Sequence, residues 1–191
     1  MNEVEQTIID AAIKLFSEKG YAATSIRDIS KEVNMKSASL YHYIESKKDL
    51  LDLIMKRYLT ELVEGAKQTL NDLPVDEPET ELKNLIKFHV ESHGKEKLAA
   101  LVVDTEYRSL EGESREEIRQ LRKNYEKLWQ EVLERGKRKG VFDFKDAKIT
   151  SFALIGLCTG VAHWYRDEGA LSLHEIAEQY ATLGLKMVRP H

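Results

Sequence analysis

Ser37, Ser39, Tyr41 and His42 fall on the outer face of one short stretch, and their chemistry suits contact with phosphates and base edges. Short hydroxyls let a main chain approach closely, and Tyr and His add reach with a polar tip. Leu40 is the small core contact of this stretch, whose composition is poor for a buried helix. Residues 33–48 carry Lys36, Lys47 and Lys48 against Glu45 alone, with His42 between them. That local excess has the sign a phosphate backbone requires. Tyr41 and Lys47 are the expected phosphate contacts, Lys47 because it falls beside the positive end of the next helix. His42 is the expected base reader.

Such residues need a rigid support, and the flanking sequence supplies one. Ile26, Ile29 and Val33 recur at i, i+3 and i+7, the mark of a helix with one inward face. Thr24 or Ser25 caps that helix, Asn34–Met35 makes a tight turn, and a second short helix follows over 37–43. Ser46 with Asp49 three residues on reads as a capping box for a long helix reaching residue 70. Leu50, Leu53, Ile54, Leu59 and Leu62 form its expected inward stripe. Upstream, a helix over 4–19 carries Ile9, Ala12, Ile13 and Phe16 on one face, and Gly20 closes it.

Composition limits what the rest can be. The 191 residues are 42% apolar with three prolines, ten glycines and no alternating Val/Ile/Thr runs, which argues for an all-α protein with a real core. The single cysteine, Cys158, can form no intrachain disulfide and falls short of a zinc site, so a reducing cytoplasm is the expected setting. Cys158 reads as a small core hydrophobe. The acidic, polar start is no signal peptide, and the apolar stretch 149–164 is too short to span a membrane. Net charge is −4, and the first 50 residues hold seven Lys/Arg against eight Asp/Glu. Nucleic-acid binding must therefore come from local asymmetry.

Residues 71–80, with two of the three prolines, read as a linker. Helices are expected over 79–92, 95–110, 114–138, 146–167 and 172–188. Ser114 with Glu117, and Ser172 with Glu175, are the capping boxes that start two of them.

At this point the residues resemble a family, the TetR family of bacterial transcriptional repressors. The resemblance rests on the Gly20–Tyr21 pair, the segment Thr24–Ile29, Ser39-Leu40-Tyr41-His42-Tyr43, and Ser46-Lys47-Lys48-Asp49-Leu50. Where the family commonly reads Tyr-His-Phe after Leu-Tyr, this chain has His42-Tyr43-Ile44. Ile44 still suits the core position, and base preference at His42 and Tyr43 is left open. The resemblance implies about nine helices: an N-terminal three-helix helix-turn-helix domain over 1–47, then a ligand-binding and dimerisation domain over 48–191. It also implies a homodimer on a palindromic double-stranded operator, a small-molecule effector, a cytoplasmic location, and neither enzymatic activity nor a cofactor. The candidate DNA contacts are then Thr24, Arg27, Lys36, Ser37, Ser39, Tyr41, His42 and Lys47.

The second half holds aromatic residues interleaved with polar ones: His93, Asp104, Tyr107, Arg108, Tyr125, Trp129, His163, Trp164 and Arg166. Aromatics at helical spacing are usually plain core, but polar partners in a sealed core are costly unless paired, which favours a pocket. Residues 164–185, with Arg119, Tyr125, Glu126 and 140–142 upstream, look like a TetR branch that responds to acyl-CoA thioesters. Trp129 and Trp164 are the expected walls for an acyl chain, and Arg108 and Arg166 the expected mouth for its phosphates. Two rival readings stand beside this one. A cationic lipophilic drug would be drawn to Asp104 or Glu106, and a metal could be shared by His89 and His93, four residues apart. Ala153, Gly156 and Gly160 form a small-residue stripe suited to a four-helix dimer interface.

Overall fold

The computed structural model describes residues 3–73 and 76–190, so Pro74 and Val75 of the expected linker lie outside the described residues. Among the described residues every regular element is helical. These are α1 (Glu3–Lys19), α2 (Ile26–Glu32), α3 (Ser37–Leu40), α4 (Lys47–Asn71), α5 (Pro78–Lys95), α6 (Lys97–Thr105), a 3-10 turn (Glu106–Ser109), α7 (Gly112–Arg138), α8 (Ala147–Thr159), α9 (Val161–Trp164) and α10 (Leu173–Val188). The nine-helix plan holds, with the expected eighth helix parted at Gly160 into α8 and α9. None of the described helices is long and apolar enough to cross a membrane.

The chain divides into two compact units. The first comprises Met1–Leu59 with Leu98–Arg119, the second Thr60–Lys97 with Gln120–His191. The head expected over 1–47 lies within the first unit, which also takes in the opening turns of α4 and the 98–119 excursion. α4, α6 and α7 each have residues in both units.

In the first unit, Ile8, Ile9, Ala12, Leu15 and Phe16 of α1 are buried with Ile29, Leu40, Leu50, Leu51 and Ile54. Gly20, at φ +82°, ends α1 in the left-handed conformation, and its N–H donates to Phe16 O at 3.0 Å. Leu53, expected inward, is 46% exposed instead. The buried rows of α4 run through 50, 51, 54, 55, 58 and 59, and residue 53 falls beside them.

In the second unit, α10 packs along α5. Glycines permit that approach: a Cβ on Gly184 would stand 2.5 Å from Ile86 Cδ1, and one on Gly94 would stand 2.3 Å from Leu173 Cδ1. Ser172 caps α10 and forms the expected capping box with Glu175, whose carboxyl is held below its usual range by the Ser172 hydroxyl and backbone N–H. The other expected box, Ser114 with Glu117, does not form. α7 already starts at Gly112, and the Ser114 hydroxyl donates to the Asp52 carboxylate. Ser114 therefore lies inside the first turn of α7 and is not its N-cap.

Candidate nucleic-acid interface and binding core

The helix-turn-helix is locked by its own polar side chains. Ser25 caps α2 in a capping box with Asp28, with Ser25 Oγ 2.5 Å from Asp28 Oδ2. These contacts hold the Asp28 carboxyl below its usual range. Asn34 takes φ +52° at the turn, and Met35 N–H donates to Ser30 O at 2.8 Å. The hydroxyls of Ser30 and Ser37 lie 2.9 Å apart and tie α2 to α3. α3 ends at Leu40, and Tyr41–Tyr43 form a turn where the sequence predicts helix. Ser46 accepts from Asp49 N–H at 3.1 Å and starts α4 as expected.

This frame sorts the expected DNA contacts. Arg27, Lys36, Tyr41 and His42 are exposed, Tyr41 by 54%. Tyr43, outside the expected set, is exposed beside them. Its signal in the sequence is its place two residues after Tyr41. Ser37 and Ser39 are half-buried, and Ser37 is bonded to Ser30. Two residues of the expected set have internal partners. Thr24 is 1% exposed, and its hydroxyl donates to Gly20 O at 2.9 Å and to Leu15 O at 3.3 Å. It ties down the loop after α1. The Lys47 ammonium donates to Tyr21 O at 2.8 Å and Thr24 O at 2.7 Å, and lies 4.2 Å from the centroid of the Tyr21 ring. In this structure its ammonium faces the protein's own main chain.

The expected effector residues fall into three groups. Asp104, Tyr107 and Arg108 belong to the first unit, with Asp104 and Arg108 exposed. His93, Tyr125 and Trp129 are buried in the second unit. His163, Trp164 and Arg166 are exposed there, and Trp164 stacks on Tyr180 with centroids 6.4 Å apart. Trp164 and Arg166 line an open groove of about 350 Å³ with Tyr165, Leu171, Tyr180 and Leu183. Trp129 is not among the groove's lining residues, so Trp129 and Trp164 do not form two walls of this cavity.

The buried group centres on His89. Its Nδ1 lies 2.8 Å from Tyr125 Oη and its Nε2 lies 3.0 Å from Thr159 Oγ1. His93 stacks on it at 3.8 Å and donates from Nδ1 to His89 O at 3.0 Å. Trp129 meets the His89 ring edge-on at 5.7 Å, and its buried indole N–H has no acceptor among the described residues. Thr159 could not be placed here from sequence, because the contact spans 70 residues. With both ring nitrogens of His89 engaged, the shared-metal expectation loses its first ligand. Among the described residues no group of three or more His, Cys, Asp and Glu side chains could hold a metal ion. Cys158 is a buried core residue whose thiol is pushed up to about 12 by burial, which leaves it without thiolate reactivity.

Burial, and secondarily the adjacent His93, holds the His89 imidazole well below its ordinary value of 6.5. The folded chain therefore keeps His89 neutral where the unfolded chain protonates it. Stability is present above pH 6.5 and falls as pH drops below it, by at most about 1.4 kcal/mol per pH unit. Urea melts between pH 7.5 and 5.5 should show this slope in the wild type and a shallower one in His89→Gln. Equal slopes would show that the ring takes up its proton in the folded state.

Comparison with known proteins agrees with this architecture. A model of bacterial regulatory proteins of the tetR family matches residues 8–54, and one of the tetracyclin repressor-like C-terminal domain matches residues 75–188. Over 187 residues the chain is 29% identical to the HTH-type transcriptional repressor KstR2 of Rhodococcus jostii, covering 96% of this chain and 91% of that protein. A bacterial regulatory protein of the tetR family from Rhodococcus RHA1 superposes with a TM-score of 0.91 at 26% identity, over 100% of both chains. AibR, in a crystal structure with isovaleryl coenzyme A and operator DNA, shares the fold with a TM-score of 0.84 at 24% identity, covering 98% of this chain and 99% of that one.

Proposed function

Since the chain belongs to the tetR family of bacterial regulatory proteins, we propose that it is a homodimeric transcriptional repressor whose hold on a palindromic operator is set by an amphipathic small molecule. The observation that carries this reading is the exposure of Tyr41, His42 and Tyr43 on a helix-turn-helix held by the Ser25–Asp28 and Ser30–Ser37 side-chain pairs. Two such heads in one dimer would read successive major grooves about 34–36 Å apart. The dimer face is the row Ile149, Phe152, Ala153 and Gly156 on α8, exposed at helical spacing, with Leu183 and Met187 exposed on α10. Such a regulator works in the cytoplasm, where its operator is.

The effector we assign is an acyl-CoA or a related amphipathic anion. The His89–Tyr125–Trp129 group supports an effector that brings a hydrogen-bond acceptor into the second unit, where the Trp129 indole N–H has none. Arg166, beside Trp164 and Tyr180 in the surface groove, offers a cation and aromatic faces to a phosphorylated nucleotide end. The cationic-drug alternative finds less support. Glu106 accepts from Tyr21 N–H, Asp104 is exposed, and the buried Glu81 is paired with Arg135. An effector that prefers the non-operator conformer by about 1.4 kcal/mol lowers operator affinity tenfold.

Selection of duplexes from a random pool by the purified protein tests the repressor reading. Tyr41→Ala should weaken binding to all selected sequences with the salt slope unchanged, because an uncharged hydroxyl that bonds a phosphate releases no counterion. His42→Ala should instead change which sequences are selected. If both variants select and bind as the wild type does, these residues do not form the DNA face. Calorimetry with a fatty acyl-CoA, an aromatic acyl-CoA and a lipophilic cation tests the effector. Binding of the cation alone, unchanged in Arg166→Ala, would remove the thioester assignment.

A further inference from the structure

The main chain of Tyr21, in the loop that leads from α1 into the helix-turn-helix, is held at its N–H and at its carbonyl by side chains from distant parts of the chain. Glu106 Oε1 accepts from Tyr21 N–H at 3.1 Å, across 85 residues. Lys47 Nζ donates to Tyr21 O at 2.8 Å and to Thr24 O at 2.7 Å. The second oxygen of Glu106 accepts from Ser109 Oγ at 2.9 Å, which fixes the carboxylate's orientation. Thr24, the second carbonyl that Lys47 holds, is immediately followed by Ser25, the N-cap of α2. The grip therefore acts one residue away from the start of the DNA-reading motif. Glu106 lies on residues 98–119, the excursion that leaves the second unit at Lys97 and returns to it at Gln120.

We propose that Glu106 and Lys47 are positioning residues that clamp the Tyr21 main chain and hold the helix-turn-helix in its DNA-reading posture, so that the posture of the head depends on a carboxylate from residues 98–119. This rests on the repressor reading above. Neither side chain touches DNA. Each acts by holding main-chain groups whose partners would otherwise be water, and a hydrogen bond to a charged group is the stronger kind.

The test uses the full-length protein and a duplex selected by the wild type. Glu106→Ala should bind that duplex about tenfold more weakly, with an unchanged salt slope, because no phosphate contact is lost. Glu106→Gln keeps an acceptor oxygen of the same reach, so its affinity should return to within about twofold of wild type. Exchange of the Tyr21 amide hydrogen should quicken about tenfold in Glu106→Ala and not in Glu106→Gln. Lys47→Met should also weaken binding with the salt slope intact. Its loss and that of Glu106→Ala should combine to less than their product, since both hold main-chain groups of one residue, Tyr21. Wild-type affinity and amide protection in Glu106→Ala would overturn the clamp, and so would equal losses in the Ala and Gln variants. If Glu106→Ala does not fold, Lys47→Met decides: a salt slope lowered by about one would place Lys47 on a phosphate and overturn the clamp. A wild type that selects no duplex overturns the repressor reading itself, and the clamp with it. That result is distinct from a wild type that binds while its clamp variants bind equally well.

Discussion

Gly156→Leu should turn the protein into a well-folded monomer of 22.0 kDa that no longer holds a palindromic duplex. Gly156 is exposed on α8, and a Cβ there would meet nothing within 4 Å. A larger side chain therefore costs the isolated chain no packing. It should raise helix stability, since glycine in a helix interior is about 1 kcal/mol worse than a good helix former. The same substitution drives a four-carbon side chain into the face assigned to the partner copy, where close approach depends on Ala153 and Gly156. Sedimentation should show the wild type near twice 22.0 kDa and the variant at that mass. Affinity for the palindrome should fall by about a hundredfold, because the second half-site contact is no longer intramolecular. Affinity for a single half-site should not change. A variant that remains dimeric and holds the palindrome would place the interface elsewhere.

Trp129→Ala should lower stability by about 3–5 kcal/mol, the cost of removing a fully buried tryptophan. Trp129 is 0% exposed and packs against the His89 and Tyr125 rings at 5.7 and 6.2 Å. Domains of this kind are commonly stable by about 5–15 kcal/mol, so the loss is a large fraction of the total. Trp129→Phe separates two effects. It leaves a smaller cavity and removes an indole N–H that has no acceptor in the folded chain. An orphaned buried donor carries a penalty of about 1–3 kcal/mol, and its removal offsets much of the lost packing. Denaturant melts should therefore place the Phe variant close to the wild type and the Ala variant far below it. If both lose the same amount, the indole N–H finds an acceptor in solution, and the case for an unfilled acceptor position in the second unit falls.

The parts of the molecule legible in its sequence are those set within one or two turns of chain. Ser25, Ser46 and Ser172 cap the helices the sequence assigns them to, because a cap bonds an N–H two or three residues on. Gly20 ends α1 because its left-handed φ is a local steric matter. The exposed Tyr41 and His42 were legible because the turn at Asn34 and the inward Ile29 and Leu40 leave them no other side. The tertiary structure alone decided the rest, where two equally local choices compete for a distant partner. Ser114 had a capping box available and bonded Asp52 across 62 residues. Lys47 had the composition of a phosphate contact and turned to the Tyr21 and Thr24 carbonyls. His89 and His93 had metal-ligand spacing, but Tyr125 and Thr159, 36 and 70 residues away, took both His89 nitrogens. Spacing along a helix fixes which side chains share a face. It carries no information about which charged or hydroxyl group from elsewhere in the chain arrives at that face.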